Sequence, residues 1–413
     1  MIRPIAIGLS PNTTFLDVLF SIRLLIQPWI YQKGNYIKKL EDWFLRYFHA
    51  DVAVSFDSAR IALFYTLKSL GIKEGDEVLL QAFTCVAVPN AIMWAKAKPV
   101  YVDIANSYTI DTKDLEKKIT SSTKAIIVQH TFGIPAEMDQ IVGIAKKHNL
   151  FVIEDCAHTI GGMYKEQKLG SLGDVGIFSF GRDKAFSSVF GGIVITSRKN
   201  IGKQLKVFQG NLSHPSILWI AQQLFHPVAL SLVFPLYNLF LGKMFLLSLQ
   251  LFGMLSLPLE TEEKQGKFPH NLGKKMPNAL AALALFQLKR ISQFNARRKE
   301  IASEYVQKIN VLYSGTLYKN IIPFLRFPLV VEKREEMLNF FRSKKIYVGK
   351  WYSEVVDPKG VDLKQVFYKT GSCPNAEYIA KHILNVPTYP TMTDSDVKNV
   401  INVFQKYDQD HRN

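Results

Sequence analysis

Phe151-Val152-Ile153-Glu154-Asp155-Cys156-Ala157-His158 and, further on, Gly176-Ile177-Phe178-Ser179-Phe180-Gly181-Arg182-Asp183-Lys184 decide how this chain reads. Each stretch opens as a short apolar run and closes on side chains able to do chemistry. Such runs, bounded by Gly, Pro, Asp or Ser, look like strands buried on both faces of a sheet. The same kind of run recurs at Val52–Ser55, Glu77–Gln81, Val100–Asp103, Ala125–Gln129 and Gly192–Thr196, beside those within Phe151–Glu154 and Val175–Phe180. Helical patterns such as Ala59–Leu70 and Met138–His148 lie between them. Strands alternating with helices predict an α/β fold built on a mostly parallel, seven-stranded sheet. In such sheets ligands bind beyond the carboxyl ends of the strands. Asp155 and Lys184 both fall there.

Outward from this region the chain divides by composition. Residues 1–50 read as an N-terminal arm with an apolar helix near Phe15–Ile26, and 51–205 as the large α/β domain. Residues 206–267 read as an apolar helical insertion: between 211 and 259 only Lys243 carries a formal charge, and Pro227 and Pro235 break the run. Residues 268–299 read as a long helix bridging two domains, its apolar spacing unbroken over Asn278–Arg298. Residues 300–413 alternate again, with Phe324–Val331, Lys333–Ser343, Lys345–Val348 and a closing helix from Asp394 to Tyr407, which predicts a smaller C-terminal α+β domain.

Composition narrows the classes. Hydrophobic residues make up 48% and charged residues 21%, which excludes a disordered chain. The formal net charge of +16 favours an anionic partner. Cys85, Cys156 and Cys373 are far apart, with no CxxC spacing, so neither a disulfide framework nor a cysteine zinc site is expected. Asp17, Arg23 and Pro28 interrupt the first thirty or so residues, which speaks against a secretory signal. A cytoplasmic protein is the expectation.

The residues at the strand ends suggest pyridoxal 5'-phosphate. That cofactor needs a lysine amine for its aldehyde, a carboxylate to keep its pyridine nitrogen protonated, and a cradle for its phosphate. Lys184 and Asp155 supply the first two. Ser55-Phe56-Asp57-Ser58-Ala59-Arg60 runs from a strand into a helix, whose free N–H groups and dipole favour an anion, so Ser58, Ala59, Arg60 and Ile61, with Ser179, supply the third. His158 follows Asp155 on the same loop. Taken singly, each has a plainer reading: Asp155 a turn residue, Lys184 a solvated loop lysine, Ser58 a helix cap, His158 a hydrogen-bonded loop histidine.

The chain resembles the DegT/DnrJ/StrS family of pyridoxal-phosphate-dependent sugar aminotransferases. The resemblance lies in Gly75-Asp76-Glu77-Val78, Phe83-Thr84, Pro99-Val100-Tyr101-Val102-Asp103, Ile110-Asp111, His130-Thr131-Phe132-Gly133, Met138-Asp139 and Val152–His158. Towards the end it continues in Pro374-Asn375-Ala376-Glu377, Leu384-Asn385-Val386-Pro387 and Tyr389-Pro390. It implies the type I fold of pyridoxal-phosphate-dependent transferases. It further implies that Lys184 holds the cofactor, Asp155 meets the pyridine nitrogen, His158 contacts the ring hydroxyl, and Ser179, Arg60 and Ile61 stand at phosphate-binding positions. A homodimer is implied, with glutamate or glutamine as amino donor and a keto-sugar as acceptor. Lys184 stands where the family's dehydratase branch has histidine. Three departures stand out. Cys85 takes the place of an aromatic that stacks on the ring, Val189-Phe190-Gly191-Gly192 replaces Gly-Glu-Gly-Gly, and Gly273-Lys274-Lys275, with Asn271 upstream, replaces Asn-Tyr-Arg.

The family has only a short polar connection where the apolar insertion lies. Segments near Ile217–Leu232 and Leu236–Leu255 read either as a hairpin lying in the interface of an anionic membrane or as a buried hairpin or enlarged dimer interface. Membrane contact implies a peripheral placement on the cytoplasmic membrane face and a lipid-linked sugar or another lipid-borne carbonyl as substrate; with the nucleotide-linked keto-sugar that the resemblance implies, the expected acceptor is a nucleotide- or lipid-linked keto-sugar in surface polysaccharide or lipid-linked sugar synthesis. The other functions in view are a different pyridoxal-phosphate reaction, condensation or dehydration, on a membrane-borne substrate, and a non-enzymatic binding protein. No nucleic-acid partner is expected, because the basic residues are scattered and no recognition motif occurs.

Overall fold

The computed structural model describes residues 4–8, 12–237, 240–309 and 321–411. Its centre is a sheet of seven strands, which we number in chain order: β1 Val52–Phe56, β2 Glu77–Gln81, β3 Lys98–Val102, β4 Thr123–Gln129, β5 Phe151–Asp155, β6 Val175–Ser179 and β7 Gly192–Thr196. They lie in the order β1-β7-β6-β5-β4-β2-β3. Only β7 runs antiparallel to its neighbours; the other contacts are parallel. Helices cover both faces, so β1 and β7 are buried at every residue and β4 and β6 nearly so. The expected mostly parallel α/β sheet is present, with each strand within two residues of its sequence-read ends.

β5 sits at the middle of the sheet. Ile177 of β6 and Gln129 of β4 flank Asp155 at its carboxyl end. The strand is braced by Glu154, fully buried, whose carboxylate accepts from the backbone N–H of Gly170 (2.8 Å), Leu172 (2.7 Å) and Gly173 (2.7 Å) and faces His130 Nε2 at 3.0 Å. A buried carboxylate with this many partners is satisfied. It fixes where Asp155 emerges.

The helical stretch over Asn278–Arg298 is not one helix. Asn278–Leu288 and Ile291–Lys308 are separate, with a break at Lys289–Arg290. The apolar spacing carries straight through the break, because the first helix is buried on all sides in the large core while the second runs from that core, through Ile291 and Phe294, to the small domain's core at Ile301, Ala302 and Tyr305. Arg290 holds the corner: its guanidinium pairs with Asp17, donates to Thr14 Oγ1 at 2.9 Å, and packs over Phe286 and Phe294. The region before Asn278 is not helical, so no single helix spans 268–299.

In the second half, Arg326–Val330 pairs antiparallel with Ile383–Pro387, packed by helices Arg334–Ser343 and Asp394–His411. Ile5–Ala6 of the N-terminal arm pairs with Ile346–Tyr347 there. In the insertion, Pro227 does not break the run. It lies buried inside the helix Ile217–Val233, where packing of Leu224 and Leu230 outweighs the lost N–H bond. Pro235 does mark an end, in the turn Phe234–Leu236, and Phe240–Leu251 forms the second arm of a helical hairpin. This hairpin lies against the N-terminal helix Phe15–Leu25, where Ser21 Oγ donates to Leu224 O at 2.6 Å.

Candidate active site

A cleft of about 1040 Å3, its open mouth included, lies at the carboxyl ends of β5 and β6. Lys184, Asp155, Ser58, Ala59, Arg60, Ser179 and Cys85 all line it. Ile61 and His158 do not.

Lys184 follows β6 through the turn Gly181–Lys184, closed by its N–H on Gly181 O at 3.3 Å. Burial pushes its ammonium pKa down; Cys85 and Asp155 oppose the shift and Arg326 adds to it. The backbone around it is clamped from behind. Lys184 O accepts from Asn12 Nδ2, Asn12 Oδ1 accepts from Arg298 at 3.0 Å, and the same guanidinium donates to Ala185 O at 2.7 Å. Arg298 is buried, and burial brings its pKa to about 9.

Asp155 ends β5 with Oδ1 accepting from Ala157 N–H at 2.9 Å. Burial raises its pKa, while the Ala157 N–H, Lys184 and His130 pull the other way. A cationic partner in the cleft favours its carboxylate form.

The helix Ala59–Ser69 begins at the cleft. Ser58 is its N-cap, in extended conformation, with Oγ accepting from Ile61 N–H at 3.4 Å. Ile61 is therefore buried behind the cap with its N–H spent, while Ser58, Ala59 and Arg60 present the helix start to the cleft. Gly192 makes this approach possible: a Cβ there would stand 2.3 Å from Ala59 N. Ser179 faces the same place from the end of β6. The guanidinium of Arg60 turns away, pairing with buried Glu263 and donating to Pro258 O at 2.7 Å. What Arg60 leaves to an anion is its backbone.

His158 sits one layer back. Its Nδ1 accepts from Phe132 N–H at 3.1 Å, which puts the proton of the neutral ring on Nε2, 3.2 Å from Tyr352 Oη. Burial, with Lys184 and Arg326 nearby, keeps it neutral. Tyr352 lines the cleft in front of it. Cys85, in the short strand Thr84–Cys85, faces the cleft with its thiol pKa pushed up by burial.

Sequence reasoning missed several lining residues. Trp351 and Tyr352 come from the C-terminal half: Trp351 has Lys184 Nζ 4.9 Å from its ring centroid and the Arg326 guanidinium carbon at 3.7 Å. Pro258 and Leu259 come from the insertion. The paired aromatics at 351–352 were the one available signal. Nothing local marked Asn12 or Arg298.

The residues suit pyridoxal phosphate: an amine with lowered pKa, a half-buried carboxylate on the same cleft, and a helix start with free N–H groups beside two serines. Comparisons agree. A family model described as the DegT/DnrJ/EryC1/StrS aminotransferase family matches residues 21–216 and 244–405. GDP-perosamine synthase of Escherichia coli O157:H7 is 30% identical over 404 residues, covering 94% of each chain. The spore coat polysaccharide biosynthesis protein SpsC of Bacillus subtilis is 30% identical over 393 residues, 89% of this chain and 88% of SpsC. In fold, an aminotransferase from Psychrobacter cryohalolentis superposes with a TM-score of 0.76 at 21% identity, over 97% of this chain and 98% of that one. The first helix of the apolar hairpin falls in the gap of the family match.

Proposed function

The chain belongs to the DegT/DnrJ/EryC1/StrS aminotransferase family and is a pyridoxal-phosphate-dependent aminotransferase, and from that premise we propose that it moves an amino group from glutamate (or glutamine) to a keto-sugar in surface polysaccharide or lipid-linked sugar synthesis. The observation that carries this reading is that Lys184 and Asp155 line one cleft beside the start of helix Ala59–Ser69.

When bound, the cofactor supplies an aldehyde for amines and a pyridine ring that withdraws electrons from the carbon next to the nitrogen. The chain's residues do the rest. Ser58, Ser179 and the N–H groups of Ala59 and Arg60 hold the phosphate, with the helix dipole favouring its charge. Asp155 keeps a proton on the pyridine nitrogen. The lowered pKa of Lys184 raises the fraction of free amine at neutral pH, so its Nζ would hold the cofactor's aldehyde and could take a proton from the substrate and return it. His158, held neutral, orients Tyr352 at the cleft wall. Trp351 and Tyr352 exclude water from that side.

Absorbance of the purified, cofactor-loaded chain tests this. Glutamate should shift the spectrum with release of 2-oxoglutarate, and Lys184→Ala should abolish both. A spectrum indifferent to glutamate and glutamine, with turnover on a membrane-borne substrate, would favour condensation or dehydration. Retained turnover in Lys184→Ala would overturn the mechanism.

The chain's working form in this reading is a homodimer resting on an anionic membrane face. The support is exposed apolar side chains on two elements: Phe15 and Trp29 of the arm are 73% and 74% exposed, and Leu251 and Phe252 of the hairpin are 77% and 82% exposed. Patches of this kind mark sites of contact. Ile217–Leu236 is long and apolar enough to cross a membrane, yet one face of it is packed against protein. An interfacial position suits such a helix better than a span. Flotation with vesicles containing anionic lipid, lost in Phe252→Glu, is expected; a chain that never floats and buries these residues between two copies would refute membrane contact.

A further inference from the structure

Beside the Lys184 cleft lies a second hollow, and Arg60, Phe190 and Pro258 line both. The two are therefore adjoining spaces. Leu218, Trp219, Leu257 and Leu272 give the hollow apolar walls, Trp219 standing edge-on to Phe190 with centroids 5.3 Å apart. Most of this wall comes from the apolar insertion. No catalytic step described above uses it.

The polar groups around the hollow are mostly spent. Gln222 Nε2 donates to Gly253 O at 2.6 Å, and Asn271 Nδ2 donates to Glu260 Oε1 at 3.0 Å. Glu263 is paired with Arg60. A nucleobase needs free donors to be read, and the amide donors of Gln222 and Asn271 are already engaged by protein. The outer rim is the reverse of a nucleoside site: Leu218 is 83% exposed, Leu257 is half-exposed, and the apolar surface continues into Leu251 and Phe252. At the boundary with the cleft stands Arg182. It donates to Ser256 Oγ, which donates to Gln223 Oε1 at 2.7 Å, while its Nε is buried with no hydrogen-bond partner among the described residues. The charge of Asp183 bears on it and opposes the effect of burial on its pKa. Burial lowers its pKa to about 10, which still leaves it cationic at neutral pH.

We propose that this hollow holds the hydrocarbon tail of the acceptor, a sugar carried on a lipid phosphate, with Arg182 at the phosphate between tail and sugar. The tail lies along Leu218, Trp219 and Leu257 and leaves over the hairpin's apolar rim, so the carbonyl end reaches Lys184 while the tail remains in lipid. This deepens the amino-transfer reading above and rests on it.

Calorimetric titration of the cofactor-loaded full chain with farnesyl diphosphate, and separately with GDP and with UDP, tests the assignment. Farnesyl diphosphate is expected to bind and the nucleotides not. Leu218→Gln and Leu257→Gln, both at exposed positions where folding is not at stake, should together weaken farnesyl diphosphate about tenfold, the loss expected for uncovering roughly one buried aliphatic side chain. Binding of GDP or UDP weakened by those substitutions, farnesyl diphosphate binding indifferent to them, or no binding of any probe overturns the proposal. The glutamate half-reaction of the unmodified enzyme is measured alongside. Should that alone fail, amino transfer falls and the tail site is judged on the titrations.

Discussion

Arg298 reaches across the molecule to the carbonyl of Ala185, the residue after Lys184, at 2.7 Å. It also holds Asn12, which holds the carbonyl of Lys184 itself. The reactive turn is thus tied by one buried guanidinium to the helix joining the two cores. Arg298→Met fills the space but leaves Ala185 O and Asn12 Oδ1 unpaired. Each unpaired buried acceptor costs about 1–3 kcal/mol, so we expect a clear fall in melting temperature. The more telling readout is the cofactor: its absorbance maximum and the pH at which that absorbance titrates should both move, because Lys184 is no longer held in place. A melting change with an unaltered cofactor titration would assign Arg298 to stability alone.

Arg60 and Glu263 couple the insertion to the helix start. Glu263 is fully buried, and its carboxylate also accepts from Glu260 N–H at 2.9 Å. Removing one member of a buried ion pair strands the other, at a cost of about 3–5 kcal/mol; Arg60 is only slightly exposed, so most of that figure applies. Glu263→Ala should therefore lower the denaturant midpoint and loosen Pro258 and Leu259 at the cleft wall. Protease cleavage within 254–266 that appears only in the variant would confirm the coupling. An unchanged midpoint would mean that the pair is replaced by solvent.

The sheet and its candidate site were legible for one reason: strands buried on both faces are short apolar runs, and the candidate site residues Asp155 and Lys184 lie at the end of one and just beyond another. Lys184 and Asp155 needed no tertiary information. Trp351, Tyr352, Asn12 and Arg298 did, since each reaches the site from a distant segment whose local pattern is ordinary. The break at Lys289–Arg290 was hidden because apolar spacing records that residues are buried and not which core buries them. Pro227 misled for a related reason: its helix survives through packing, which no local propensity records.

Gly192 lies where β7 crosses the helix start. A methyl group there would meet Ala59 N at 2.3 Å and Ala59 Cα at 2.5 Å, both backbone atoms that cannot swing aside. Gly192→Ala should displace the N–H groups of Ala59 and Arg60, destabilising the chain by about 1–3 kcal/mol as overpacking does. Cofactor affinity should fall further than stability alone explains, and inorganic phosphate should lose its ability to compete with the cofactor. Normal affinity in this variant would remove the phosphate role from the helix start.

Asp57 precedes that helix and is buried, accepting from Lys274 N–H at 2.7 Å and Ser58 Oγ at 3.3 Å. Burial raises its pKa from 3.8 to about 7, with the Lys274 N–H, Ser58 and Arg60 opposing the rise. The folded state therefore keeps a proton that the unfolded chain gives up near pH 4. Its contribution to stability is fully present below the unfolded value and is lost as pH rises through about 7. A shift of this size corresponds to about 4 kcal/mol at most. Asp57→Asn keeps an acceptor for Lys274 N–H and cannot ionise. Melting temperatures of both proteins between pH 4 and 8 should diverge, the parent losing stability relative to the variant as pH rises. Parallel curves would show that Asp57 is ionised throughout and that its charge is compensated where it lies.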